Sequence, residues 1–182
     1  DQPRRDFQPE ALQDLADSLR QKGVIQPLIV RAIPNSDRYE IVAGERRWRA
    51  AQIAKLHELP VIVRDFDDAE VLEIAIIENI QRADLNAIEE ALAYRQLMER
   101  FGHTQEKIAE ALSRSRSHIA NLLRLLALPQ DVQGLVKNGT MSAGHARALI
   151  TTSNPSVLAR QVVDRGLSVR ETEALVRKAA QP

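Results

Sequence analysis

The sequence predicts an α/β domain followed by an all-α domain. In the first 80 residues, apolar runs typical of strands alternate with segments of helical periodicity, whereas no convincing strand is found from Asn86 onward. Charge divides the chain in a similar way, because residues 1–100 contain 14 Lys/Arg and 19 Asp/Glu, against 11 and 6 in residues 101–182. We therefore predict an α/β domain over residues 1–84 and a helical domain over residues 85–182.

The elements of the first domain follow from periodicity and turn signals. A helix is predicted from Pro9 to Lys22, ended by Gly23. Strands are predicted in VIQPLIVRAI, YEIVA and LPVIVRDF, with PNSD as the turn between the first two. A second helix starts near Gly44, and Asp67 and Asp68 are expected to cap a third, which runs through AEVLEIAIIENIQR.

The composition excludes several classes of protein. Because the chain contains no cysteine, disulfides, thiolate metal sites and cysteine nucleophiles are excluded, and a reducing compartment is favoured. The longest apolar stretches are far shorter than a membrane span, and the first residues lack the apolar segment of a signal peptide. With 44% hydrophobic residues, the chain is expected to be soluble, globular and intracellular.

In the second domain, an amphipathic helix, NAIEEALAYRQLMERF, is expected to stop at Gly102, and a helix-turn-helix is predicted at about residues 104–127. A short helix, Thr104 to Leu112, precedes a polar turn and a second helix from about Ser115, whose first residues would reach base edges in the major groove. Ile108, Ala109 and Leu112 are expected to face Ile119, Leu122 and Leu123. The predicted DNA-binding residues are Thr104, Gln105, Ser115, Arg116, Ser117, His118, Asn121, Arg124, Gly144, His145 and Arg147. The alternative is a three-helix bundle with a solvated Ser/Arg turn.

The first domain contains a possible phosphate site. In GERRWRA, a glycine and the adjacent Arg46 and Arg47 follow a strand at the start of a helix, which is one way to bind phosphates. No Walker-type loop occurs, so a P-loop NTPase is not expected. The acid–amide pair Glu78 and Asn79 suits Mg²⁺. The alternative is structural: arginines paired with nearby acids, Gly44 in a turn, and Glu78 and Asn79 at the end of a helix with an apolar core face.

Several segments, in this order, resemble motifs of the ParB/Spo0J family of bacterial chromosome-partitioning proteins. They are DQPRRDF, GVIQPLIVR, GERRWRAA, ENIQRADLN, EEALAY, SRSHIANLLRLLALP and GHARA, and together they cover nearly the whole chain. The resemblance implies a ParB/sulfiredoxin-like first domain. It also implies a CTP-dependent DNA clamp that binds CTP and Mg²⁺, recognises a palindromic centromere site called parS, slides along DNA, and acts as a slow CTPase stimulated by parS.

The resemblance assigns roles to residues by position. Gly44, Arg46 and Arg47 match the triphosphate-binding motif, Glu78 and Asn79 the Mg²⁺-proximal motif, and Arg82 a further phosphate contact, while Gln2, Arg4 and Gln26 match other nucleotide-contacting positions. Glu45 and Glu78 match acidic residues whose loss impairs hydrolysis in the family, and they are the predicted catalytic residues. Arg116 matches a residue that helps to select parS, and Leu122 departs from the family, since relatives can carry a smaller polar residue there.

The resemblance further implies a homodimeric clamp, a ParA-type ATPase as partner through an N-terminal tail that this chain would lack, and a missing C-terminal dimerisation domain. The expected location is the bacterial cytoplasm, on the nucleoid and not on a membrane. Two alternatives remain open: a Noc-like nucleoid-occlusion protein and a helix-turn-helix regulator that uses no nucleotide. Sulfiredoxin-type chemistry is excluded because it requires a cysteine.

Overall fold

The structure, a computed structural model, describes residues 9–24, 26–82 and 84–180. It contains two compact units, residues 1–78 and residues 79–182, which we call the α/β unit and the helical unit. The predicted fold class, α/β followed by all-α, is confirmed. The division into residues 1–84 and 85–182 stays a prediction.

The α/β unit is built on a three-stranded sheet. The strands are β1 (Leu28–Ala32), β2 (Tyr39–Ala43) and β3 (Val61–Val63), in the order β2-β1-β3. Strand β1 pairs antiparallel with β2 and parallel with β3, so that Val30 lies opposite both Ile41 and Val63. Because side chains alternate along a strand, Leu28 and Val30 of the central strand are buried on one face.

Helices α1 (Pro9–Lys22), α2 (Glu45–Ile53) and α3 (Asp68–Ile80) complete this part of the chain, and the boundary between the two units falls within α3. The first two helices pack against each other through small and apolar side chains. Their shared core consists of Ala16, Leu19, Ala50, Ala51 and Ala54, flanked by half-buried Leu12, Leu15, Val24, Leu56 and Leu59. The alanines allow close approach of α2, the helix that carries the arginine pair.

The structure corrects the extent of two predicted strands and one predicted helix cap. The first predicted strand, residues 24–33, is shorter, since only residues 28–32 pair among those described, and Pro27 has no N–H for a sheet hydrogen bond. The third predicted strand, residues 59–66, is limited to Val61–Val63. Of the two proposed caps of α3, only Asp67 acts as one: its Oδ1 accepts from the Glu70 N–H at 2.7 Å, and Glu70 Oε2 accepts from the Asp67 N–H at 2.9 Å. Asp68 is the first residue of α3 and pairs with Arg31 at 2.8 Å.

Among its described residues, the helical unit contains seven helices after α3 and no strand, as predicted. They are α4 (Ala87–Phe101), α5 (Gln105–Ala111), α6 (Arg116–Leu125), α7 (Gln130–Lys137), α8 (Ala143–Leu149), α9 (Pro155–Arg165) and α10 (Val169–Ala179). Side chains accept backbone N–H bonds at the starts of α4, α5, α6, α8 and α10. Polar caps at this frequency explain why such short helices have defined ends.

Helices α5 and α6 form the predicted helix-turn-helix and pack against each other. Ile108 and Ala109 of α5 are buried, as expected. On α6 the buried residues are Ile119, Leu122 and Leu125, whereas the predicted Leu123 is only half-buried. The i, i+3, i+6 spacing of the three buried residues places them on one side of the helix, and position 123 lies outside that stripe. Leu112 is also only half-buried.

Among the described residues, no helix is both long and apolar enough to cross a membrane.

Candidate functional site

In the α/β unit, the start of α2 has a conformation that requires Gly44. Its φ is 99°, in the left-handed region, and a Cβ built on it would lie 3.1 Å from Leu28 Cγ and 3.5 Å from Arg47 Cζ. The Gly44 carbonyl accepts the Trp48 N–H at 3.1 Å, so this glycine is also the N-cap of the helix. The chain therefore passes close to β1 before the arginines begin.

Arg47 is fixed by two backbone carbonyls. Its Nη1 donates to the carbonyl oxygens of Gln26 and Pro27, each at 2.9 Å, and the residue is half-buried. These bonds use one of the three guanidinium nitrogens, so Nε and Nη2 still carry three N–H donors. Arg47 is therefore oriented by neutral partners and keeps its full positive charge.

The predicted structural alternative, arginines paired with neighbouring acids, is not what this segment shows. Glu45 pairs instead with Arg49, at 2.9 Å between Oε1 and Nη2, one turn along α2. Among the described residues, no ion pair to a carboxylate is found for Arg46 or Arg47. Arg46 is exposed. The helix start thus gathers Gly44, Glu45 and both arginines with the Gln26 carbonyl, and its dipole adds partial positive charge.

Glu78 and Asn79 occupy consecutive positions near the end of α3, Glu78 half-buried and Asn79 exposed. Arg82 follows in a turn, where its backbone N–H donates to the Asn79 carbonyl at 3.2 Å. In the described part of the chain, no cluster of three or more His, Asp or Glu side chains is suited to a metal ion. One carboxylate and one amide fit an ion that takes most of its ligands from a bound phosphate. The predicted nucleotide contacts Gln2 and Arg4 lie outside the described residues.

In the helical unit, the start of α6 presents the predicted DNA-reading residues. Ser115 caps the helix, because its Oγ accepts the His118 N–H at 3.1 Å and lies 3.0 Å from Ser117 Oγ. Ser117, Asn121 and Arg124 recur at i, i+4 and i+7, which places them on one face, opposite the buried stripe. This face combines hydroxyl, amide and guanidinium groups suited to base edges and phosphates.

Arg116 is the exposed arginine at the first position of α6. Its Nε lies 2.8 Å from Glu106 Oε1 of α5, and the two side chains are 69% and 59% exposed. An ion pair this exposed contributes at most about 1 kcal/mol. Arg116 can therefore exchange Glu106 for a base or a phosphate at little cost.

His118, a predicted DNA contact, is already bonded within the protein. Its Nε2 lies 3.3 Å from Glu90 Oε1 of α4, and the same oxygen accepts the hydroxyl of Tyr94, whose side chain is fully buried. Burial, reinforced by the bond to Glu90, raises the pKa of Tyr94 well above its ordinary value. The network joins the start of α6 to α4. It was missed from the sequence, although Glu90 and Tyr94 show the i, i+4 spacing of a helical pair.

Two of the remaining predicted DNA contacts, Thr104 and His145, already form hydrogen bonds within the protein. Thr104 Oγ1 accepts the Lys107 N–H at 3.2 Å as the cap of α5, next to half-buried Gln105. His145 is bonded at both ring nitrogens, to Ser142 Oγ at 2.6 Å and to the Leu167 carbonyl at 2.9 Å.

Close packing constrains the glycine beside this histidine. A Cβ on Gly144 would lie 3.2 Å from Val169 Cγ2, so the packing of α8 near the start of α10 favours glycine there. Arg147 is exposed in the last turn of α8. Of the second predicted DNA cluster, it is therefore the side chain that the fold leaves exposed to solvent.

Comparison with known families identifies both parts of the chain. Residues 1–80 match the ParB N-terminal domain, and residues 83–181 match the ParB HTH domain. The chromosome-partitioning protein ParB of Caulobacter vibrioides is 59% identical over 180 residues, which are 98% of this chain and 59% of that protein. The chromosome-partitioning protein ParB of Myxococcus xanthus is 50% identical over 182 residues, covering 61% of its length. The chain thus spans about 60% of the length of these relatives.

A solved structure is similar over nearly the whole chain. The C-terminally truncated ParB from Caulobacter crescentus, complexed to the centromeric parS site, is 57% identical, with a TM-score of 0.85. The match covers 98% of this chain and 93% of that one. A ParB DNA-binding domain, also complexed to parS, is 59% identical over 62% of this chain and 93% of its own length, with a TM-score of 0.55.

Proposed function

The chain belongs to the ParB family of chromosome-partitioning proteins, and from this premise we propose that it binds a parS-type centromere site and CTP. The observation that carries the DNA-binding part is the polar face of α6 in a chain similar to a protein complexed to parS. The nucleotide part is supported by the arginine pair at the start of α2 and by the resemblance of GERRWRA and ENIQRADLN to the family motifs.

The helical unit would read DNA through α6. Inserted in a major groove, Ser117 and Asn121 meet base edges, while Arg124 lies further along the same face. Arg116 leaves Glu106 and contacts a base or a phosphate. Glu90 and Tyr94 hold His118 and with it the start of the helix, so the reading residues are oriented before DNA arrives. Thr104, Gln105, Ser115, Gly144, His145 and Arg147 complete the proposed contact set.

The α/β unit would bind the triphosphate of CTP at the start of α2. Arg47, already oriented by the carbonyls of Gln26 and Pro27, directs its remaining donors at phosphate oxygens, and the exposed Arg46 takes a second phosphate. A Cβ at Gly44 would crowd Leu28 and the Arg47 guanidinium, so glycine keeps both the start of α2 and Arg47 in place for the anion. Gln2, Arg4, Gln26, Glu78, Asn79 and Arg82 are the further nucleotide contacts that the family resemblance supports.

Glu45 and Glu78 are proposed as the residues required for slow, parS-stimulated hydrolysis of CTP. Each carboxylate can accept a proton from water or orient it toward a phosphate. Mg²⁺, when bound with the nucleotide, neutralises phosphate charge, and Glu78 and Asn79 are the residues that would hold it.

We also propose that the active form is a homodimer. A palindromic site is matched by a two-fold symmetric protein that places one recognition helix on each half-site. Light scattering in the presence of CTP and a parS duplex should give twice the monomer mass, and a monomer under those conditions would rule out the clamp. Nucleoid association follows from DNA binding. A ParA-type ATPase remains a predicted partner of the tail.

The test of the DNA-binding part is fluorescence anisotropy with a parS duplex and a scrambled duplex of equal length. The wild-type protein should prefer parS by at least about 100-fold, and Arg116→Ala should lose most of that preference. A matched control is Arg160→Ala, which removes an exposed arginine from α9. Equal affinity of the wild-type protein for both duplexes would refute parS recognition. A preference for a different palindrome would favour the Noc-like alternative. The sequence disfavours that alternative, because Arg116, Ala127 and Gly144 resemble the residues with which ParB proteins select parS.

A further inference from the structure

A groove lined by three arginines lies in the helical unit. It is formed by Arg124 of α6, Arg147 of α8 and Arg177 of α10, with a volume of about 370 Å³. Ala148, Thr151, Glu173 and Val176 line the rest of it. We call it the arginine groove. The sequence singled out Arg124 and Arg147 separately, and the fold adds Arg177, which lies 30 residues further along the chain.

The three arginines are not neutralised within the described part of the protein. All three are exposed, and no ion pair to a carboxylate is found for any of them among the described residues. Each lies in the last turn of its helix, where the helix dipole favours a cation by a few tenths of a kcal/mol. That effect accounts for each arginine alone, but it does not account for three of them around one groove with a single acid, Glu173.

The groove has a rigid base. Helices α8 and α10 pack against each other, and α6 packs against α8. Ala146 and Leu149 of α8 are fully buried, as is Thr172 of α10, whose Oγ1 donates to the Ser168 carbonyl at 2.9 Å. The three arginines therefore project from helices that are fixed to one another by packing.

The groove is continuous with the DNA-reading face of α6. Arg124 belongs both to the groove and to the stripe that begins with Ser117 and Asn121. When the start of α6 enters a major groove, the phosphates at its edge lie next to the later turns of the helix. The arginine groove lies beside those turns.

We propose that Arg177, together with Arg124 and Arg147, binds the phosphodiester backbone of DNA next to the recognition helix and contributes affinity without sequence preference. The chemistry is that of guanidinium groups, which bind phosphate oxygens through paired N–H donors. The inference rests on the proposed DNA-binding function and assigns Arg177 to that site. Glu173 weakens the groove's attraction for DNA by its opposite charge.

The test measures the salt dependence of DNA affinity for the wild-type protein and Arg177→Ala, on parS and on the scrambled duplex. One phosphate contact contributes about 0.9 to the slope of log K against log salt, which corresponds to roughly fivefold in affinity at about 0.15 M salt. Arg177→Ala should lose that amount equally on both duplexes, and its slope should fall by about one. Arg160→Ala, the matched control, should change neither quantity.

Two further variants separate charge from folding. Glu173→Gln should bind both duplexes roughly two- to fivefold more tightly, the opposite direction from any damage to the helix. Arg177→Lys keeps the charge and should lose no more than about twofold. An unchanged salt slope in Arg177→Ala, or weaker binding by Glu173→Gln, would overturn the proposal.

The outcomes distinguish this proposal from the proposed function. Because backbone binding needs no parS preference, the slope change on the scrambled duplex tests the groove even if the wild-type protein fails to discriminate parS. If parS is preferred but the slope is unchanged, the groove proposal fails and parS recognition stands. If Arg177→Ala loses affinity for parS alone, the residue reads sequence and the proposed role in backbone binding is wrong.

Discussion

The two units use arginine in opposite ways. In the α/β unit, Arg47 is held at a helix start by two backbone carbonyls at 2.9 Å. In the helical unit, Arg124, Arg147 and Arg177 lie at helix ends, exposed and without a carboxylate partner among the described residues. We therefore expect anion binding at the first site to depend on the exact geometry of the guanidinium, and binding at the second site to depend mainly on positive charge.

The largest effect is expected from the arginine pair. Arg47→Ala should weaken CTP binding by about 2 kcal/mol or more, roughly 30-fold, because it removes charged hydrogen bonds to phosphate. Arg47→Lys should also weaken binding by roughly tenfold, since an ammonium cannot bond to both backbone carbonyls and at the same time donate two parallel hydrogen bonds to a phosphate. Isothermal titration calorimetry with CTP and Mg²⁺ measures both.

The control for the arginine pair is Arg38→Ala, which removes an exposed arginine before β2 and should change nothing. Circular dichroism verifies that each variant is folded. If Arg47→Lys binds CTP as well as the wild-type protein, then charge alone suffices at α2, and the contrast between the two units is wrong.

The next effect concerns the glycine before this pair. Gly44→Ala should reduce the free energy of unfolding by about 2–3 kcal/mol, because φ is strained and the new methyl group approaches Leu28. Gly23→Ala is the matched comparison: φ is 72° but nothing lies within 4 Å, so about 1 kcal/mol is expected. Urea denaturation measures both losses. Equal losses would show that the close approach of α2 to β1 contributes nothing.

The Glu90–Tyr94–His118 network predicts a dependence on alkaline pH. The folded state keeps Tyr94 protonated above the ordinary phenol pKa of about 10, whereas the unfolded state releases that proton. The folded state therefore binds more protons, and stability falls as pH rises above about 10, by at most about 1.4 kcal/mol per pH unit. Thermal denaturation measured from about pH 8 to about pH 11 should show this loss of stability as a falling melting temperature.

Tyr94→Phe should lose this alkaline sensitivity, and Tyr39→Phe, which removes the other, exposed tyrosine, should keep it. The alkaline loss is then specific to the network that holds α6 on α4. A Tyr94→Phe protein that destabilises with pH as steeply as the wild-type protein would contradict this assignment.

The smallest effect is expected at the exposed ion pair of α5 and α6. Glu106→Gln should cost less than about 1 kcal/mol in stability, because both side chains are well exposed. The same substitution should also strengthen parS binding, because Arg116 no longer has to break its ion pair with Glu106 before it contacts DNA. Glu110→Gln, an exposed acid on the same helix, controls for net charge. Anisotropy that gives the two variants identical affinities would show that Glu106 does not compete for Arg116.

The parts of the fold that sequence predicted are those set by local patterns. The helix before Gly23, the strand over residues 39–43 and the serine cap of α6 are defined by residues within one or two turns of each other. Asp68 was mistaken for a cap because two adjacent acids look equivalent in sequence, whereas its carboxylate meets Arg31, which is distant in the chain. Local signals cannot rank such competing partners.

The sequence singled out the residues of both candidate sites, which stay predictions, but it did not show the contacts that hold those residues. GERRWRA indicates an anion site, yet the carbonyls that orient Arg47 are 20 and 21 residues away. Glu90 meets His118 across 28 residues. Arg177 joins Arg124 and Arg147 only because α6, α8 and α10 pack together. The hydrophobic periodicity of the sequence does not reveal contacts between residues this far apart in the chain, since those contacts arise from tertiary packing.

The proposed function requires that one protein binds both nucleotide and centromere DNA. The decisive measurement is calorimetric titration of CTP, ATP, GTP and UTP with Mg²⁺, with and without a parS duplex. Of the four nucleotides, only CTP is expected to bind appreciably. The parS duplex should strengthen CTP binding, and the scrambled duplex should not. Binding of parS with no nucleotide binding at all would contradict the claim. The arginine pair of α2 would then be structural, and the protein would be a DNA-binding regulator.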